Sequence, residues 1–154
     1  MATKIQTVLF APSDLAEIAA LLRSLQDDKA GWINITPANM DAPKPTSVWG
    51  RINGRGPEVP RLTWTAPTRK GRKTNPAQVG LEHPGGTKAL GQLAQANHPL
   101  PSGWQRLQDH PMRGLVVVPP VDALAEDILA WALKAACLLG KLEEPSRWRA
   151  EVWR

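Results

Sequence analysis

The chain has 154 residues, 42% of them hydrophobic and 21% charged, which is ordinary for a soluble domain large enough to bury its own core. No run reaches the roughly eighteen uncharged apolar residues of a membrane span, and the opening Met-Ala-Thr-Lys-Ile has no apolar signal region. A single cysteine, Cys137, excludes an internal disulfide, so a cytoplasmic protein without a membrane partner is expected.

The first elements read as strand, helix and strand. Ile5–Phe10 is a short, mostly apolar run ended by Pro12. Ser13 is a good N-cap for a helix over Ser13–Lys29, with Asp14 and Glu17 in its first turn. Leu15, Ile18, Leu22 and Leu25 recur at helical spacing and form one apolar stripe. Lys29 and Gly31 supply the stop signal, and Trp32–Ile35 follows as a strand.

The centre of the chain is richer in proline and glycine. Residues 37–46 carry three prolines and read as an extended connection. Val48–Ile52 and Val59–Ala66 read as a hairpin around Asn53-Gly54, since both turn residues tolerate positive φ. Alternation places Leu62 and Trp64 inward and Arg61, Thr63 and Thr65 outward. Thr68–Pro76 reads as a polar basic loop and Gln78–His83 as a short strand. A helix is expected over Thr87–Asn97, and one helical turn over Trp104–Asp109.

A second strand–helix–strand unit closes the pattern: Leu115–Val118, Val121–Gly140 with Asp122 as its cap, and Arg147–Trp153. The helix is apolar most of the way round, more than one sheet contact would cover, so packing on the first helix or on a second subunit is expected. Trp148, Ala150 and Val152 alternate with Arg147, Arg149 and Glu151, which leaves Trp153 on the wetter face. Together these features predict one α+β domain over 1–154, with helices on one face of a mixed or antiparallel sheet. Two β-α-β halves point to a ferredoxin-like arrangement with residues 37–112 as a central insertion; another mixed sheet of the same strands is the alternative.

Charge is concentrated in that centre. Between Arg51 and Lys73 lie seven bases (Arg51, Arg55, Arg61, Arg69, Lys70, Arg72 and Lys73) against one acid, Glu58, whereas the whole chain carries only +5. Such asymmetry suits an anionic partner, nucleic acid ahead of an acidic protein surface, with Trp49 as a stacking platform for a base. A glycine-rich run leads to Gly86, Thr87 and Lys88 at an expected helix start, a second place for an anion. The nucleotide-triphosphate loop requires Gly-Lys-Ser/Thr, and the order Gly86-Thr87-Lys88 does not match it.

Signals for catalysis are weaker. His83, His98 and His110 each precede proline, and with Glu82 and Asp109 they are candidate metal ligands or bases, at spacings that match no compact motif. Cys137 in an apolar helix reads as a small hydrophobe, and no Gly-x-Ser-x-Gly elbow exists. The expectation is a binding protein without a cofactor. The alternatives are an assembly subunit, homo- or hetero-oligomeric through helix 121–140, and a small metal-dependent enzyme.

Overall fold

The computed structural model describes residues 2–39, 59–84 and 88–154. The strand expected over Val48–Ile52, its Asn53-Gly54 turn, most of the connection 37–46 and the start of the helix expected over Thr87–Asn97 lie outside the described residues. In chain order the elements are β1 (Lys4–Phe10), α1 (Ala16–Asp28), β2 (Trp32–Pro37), β3 (Arg61–Thr65), β4 (Thr68–Lys70), β5 (Lys73–Asn75), β6 (Gln78–Glu82), α2 (Ala89–Gln95), β7 (Gln105–His110), β8 (Gly114–Val118), α3 (Ala125–Gly140) and β9 (Trp148–Trp153).

Seven strands form one sheet in the order β1-β9-β2-β3-β6-β8-β7, and every neighbouring pair is antiparallel. β4 and β5 form a separate two-stranded ribbon. The α+β class follows directly. Both β-α-β units are present and both are split: β9 lies between β1 and β2, while β2, β3 and β6 separate β9 from β8. The central section does more than decorate them, because β3, β6 and β7 are members of the same sheet.

One face of this sheet is continuously apolar because the register aligns the inward residues of successive strands. Ile33 stands opposite Trp64 and Val152, Ile35 opposite Leu62, Leu62 opposite Leu81, and Val79 opposite Val117. All are fully buried. The helices cover that face. α3 lies over β3 and β6 and touches α1 on one side and α2 on the other. That placement accounts for its apolar circumference: nine of its residues, among them Ile128, Leu129, Trp131 and Leu139, are buried within the chain itself. The stripe expected on α1 is buried at Ile18, Leu22 and Leu25, and Arg23 reaches Glu126 on the first turn of α3 at 2.8 Å. No described helix is long and apolar enough to cross a membrane.

Several local expectations are corrected. Trp104–Asp109 is not a helical turn; residues 105–110 form edge strand β7, because pairing with β8 outweighs local preference. Thr68–Pro76 is not an open loop but the β4–β5 ribbon. Ser13 and Asp122 do not cap their helices. α1 and α3 start later, with Leu15 and Leu124 at the N-cap positions and no side-chain cap bond, although Asp14 Oδ1 lies 3.4 Å from the Ala16 amide. At the end of α1 the left-handed residue is Lys29 itself, at φ 54°, two positions before Gly31.

Candidate functional site

The ribbon is built by eight residues, Thr68-Arg-Lys-Gly-Arg-Lys-Thr-Asn75. Gly71 and Arg72 form a two-residue turn with positive φ at Gly71 (60°) and not at Arg72, the type II′ pattern that matches strand twist. Thr68 and Asn75 close its base through Asn75 Nδ2 donating to Thr68 Oγ1 at 3.4 Å. Directly opposed residues of an antiparallel pair share a face, so Lys70 and Lys73 lie together on one side and Arg69 lies beside Thr74 on the other. Arg72 sits at the tip. All four cations are exposed.

Lys70 and Lys73 are direct cross-strand partners, an arrangement of like charges that costs stability. Among the described residues no carboxylate pairs with any of the four cations. The described ion pairs lie elsewhere: Arg23 with Glu126, Arg61 with Glu82, and Arg154 with Asp28. Arg69 donates from Nε to the Gly71 carbonyl at 3.2 Å, a contact that steadies the turn and leaves its positive charge unneutralised.

Arg61 differs from this group. It stands on the partly exposed face of β3, where Glu82 of β6 is its register partner, and the two side chains meet at 2.7 Å. Trp49, Arg51, Arg55, Gly86 and Thr87 lie outside the described residues. Lys88 is exposed at the N-cap of α2. At that helix start, the Ala89 and Leu90 amides donate to Asp109 Oδ1 and Oδ2 at 2.7 and 3.1 Å. The N–H groups that would greet a phosphate therefore already hold a carboxylate of the chain itself.

The three histidines have separate structural settings. His83 is buried, and that burial holds its pKa below the usual 6.5 while the Asp109 charge opposes the shift. His98 stacks on Trp131 at 5.5 Å, with Nε2 2.9 Å from the Trp131 carbonyl. His110 Nδ1 accepts from the Met112 and Arg113 amides and holds the β7–β8 turn. Among the described residues no three His, Cys, Asp or Glu side chains gather as a metal site. Cys137 is half-buried, and burial together with Glu144 pushes its thiol pKa up, away from nucleophilic thiolate.

The aromatic residues divide by face. Trp64 and Trp148 are fully buried, as the alternation requires, while Trp153 shares the opposite, partly exposed face of β9 with Arg149. Its ring stacks on Trp32, centroids 5.9 Å apart and planes 7° apart, so one face is already occupied. The indole nitrogens of Trp64, Trp148 and Trp153 have no acceptor among the described residues. Sequence reasoning gave no sign of a cavity of about 470 Å³ beneath the ribbon, bounded by the end of α1, the ends of β3 and β8, and the start of α3. No family model matches the chain, and no curated protein or solved structure matches it.

Proposed function

We propose that this protein is a binding module whose β4–β5 ribbon engages a polyanion, nucleic acid foremost. The observation that carries the reading is the pairing of Lys70 with Lys73 across a turn containing Arg72, with Arg69 behind them and no carboxylate pairing among the described residues. A ribbon of this kind accepts a cost in stability that a purely structural hairpin would avoid by placing opposite charges there. Phosphates at the spacing of a nucleic acid strand would relieve that repulsion and release counterions on binding.

The reading assigns contacts to Arg69, Lys70, Arg72 and Lys73. It leaves out Arg61, whose guanidinium is engaged by Glu82. The extended basic run, with Trp49, Arg51 and Arg55, would lengthen the contact from the neighbouring part of the sequence. Fluorescence anisotropy with labelled single-stranded oligonucleotides at low salt tests the proposal. Replacing the four cations by glutamine is expected to weaken binding severely, whereas Arg61→Gln is expected to leave most of it. Equal binding by the wild type and the four-site variant would overturn the reading.

A further inference from the structure

The cavity beneath the ribbon is apolar over most of its wall. Trp64 and Ile128 are buried residues of its lining, and Pro67, Pro76, Pro119 and Pro120 contribute rigid ring surfaces. Its volume of about 470 Å³ falls within the roughly 300–1,000 Å³ typical of small-molecule sites. Val121 belongs to the lining and is 90% exposed, an apolar side chain left at the mouth where an occupant would cover it.

Polar groups enter from two sides. Asp27 and Lys29 at the end of α1 balance each other in charge, and Thr74 comes from β5. Arg69, outside the lining, is the cross-strand partner of Thr74 and shares its ribbon face. The charged lining residues cancel, and Arg69 supplies the unbalanced charge of the adjoining ribbon face. Trp64 contributes its ring to the wall, and its indole nitrogen is buried without an acceptor among the described residues. The surroundings thus combine an apolar interior walled by prolines and Trp64, polar groups from α1 and Thr74, and a cation on the adjoining ribbon face.

We infer that this cavity binds one flat ring system carrying an anionic group, with the ring among the prolines and Trp64 and the anion towards Arg69 and Lys29. An unstacked base with its phosphate has this chemistry, and so does a free aromatic acid. The inference shares Arg69 with the polyanion reading and otherwise stands apart from it, because a probe with a single anionic group does not need the ribbon's other cations.

The test follows the indole N–H resonances of the full chain by NMR, with Trp64 assigned by loss of its signal in Trp64→Phe. One arm adds 5′-mononucleotides, and the other adds naphthalene-2-carboxylate. Saturable movement of the Trp64 signal with both probes supports the shared chemistry. Movement with nucleotides alone supports a base as the occupant, and movement with the carboxylate alone supports a small-molecule site. Arg69→Gln is expected to weaken the anionic probe about tenfold, the change that goes with loss of one charge-assisted contact, and to leave the uncharged nucleoside unaffected.

Thr74→Phe, at an exposed strand position that tolerates a large side chain, is expected to block the cavity and remove the shift. Oligonucleotide binding with an unchanged salt response in Thr74→Phe would separate the two readings. No saturable shift with either probe, or an equal shift in Thr74→Phe, would overturn the cavity inference while leaving the ribbon reading intact. Absence of oligonucleotide binding by the wild type, with the probe shift present, would do the reverse.

Discussion

Asp109 does two jobs through one carboxylate. Both oxygens receive amides from the first turn of α2, and its charge bears on buried His83. Asp109→Ala is expected to cost about 1–2 kcal/mol in urea unfolding, the range for losing an N-terminal cap, and to lower the His83 pKa further. His83 gives a signed pH effect. Its folded pKa lies below the 6.5 of a free imidazole, so the unfolded chain binds the proton more readily. Stability is therefore fully present above pH 6.5 and falls as pH drops below it towards the folded-state pKa. Urea midpoints measured across that window are expected to show the slope in the wild type and to lose it in His83→Gln. An unchanged slope would assign the effect elsewhere. Gly114 is fixed by a different constraint: at φ 84° it opens β8, and a Cβ there would run into the Leu81 carbonyl of β6. Gly114→Ala is expected to cost at least about 1–3 kcal/mol from the backbone conformation alone.

Between elements, the clearest contrast lies between the main sheet and the β4–β5 ribbon. Strands of the sheet place Ile, Leu, Val and Trp in register under three helices, whereas the ribbon places lysine opposite lysine. Lys73→Glu therefore separates stability from binding. It is expected to slow hydrogen exchange at the Lys70 amide and at the amide of the substituted position, since an opposite-charge pair is worth roughly 0.2–1 kcal/mol more than a neutral one, while weakening oligonucleotide binding. Faster exchange together with tighter binding would contradict the assigned role. These elements also differ in how far the sequence reveals them. The stripe Ile18, Leu22 and Leu25 and the alternation of Trp148, Ala150 and Val152 announce their elements because burial repeats at the period of helix or strand. β7 gives no such signal: it is an edge strand with an exposed Leu107, and β8 is its one strand neighbour among the described residues. The ribbon is polar throughout, and its only local mark is Gly71 at the first position of a two-residue turn.

Across the whole molecule, the two terminal β-α-β units and the central strands make one antiparallel platform whose helix-covered face is closed by α3. Strand order was not legible, because β9 enters between β1 and β2 from the far end of the chain and no local pattern encodes that placement. The candidate site was legible only in part. Charge density marked the segment containing Arg69–Lys73, but which arginine is neutralised depends on the register of β3 with β6, which brings Glu82 to Arg61. The cavity depends on α1, α3 and the ribbon meeting, and so has no sequence mark at all.

The central claim is that a few ribbon cations, and not the overall charge of +5, hold a polyanion. The slope of log affinity against log salt for a single-stranded oligonucleotide measures this directly. The wild type is expected to lose about three in that slope when all four ribbon cations become glutamine, from about 0.7 per phosphate contact, with no comparable change for Arg61→Gln. A slope that is the same in all three proteins would contradict the account.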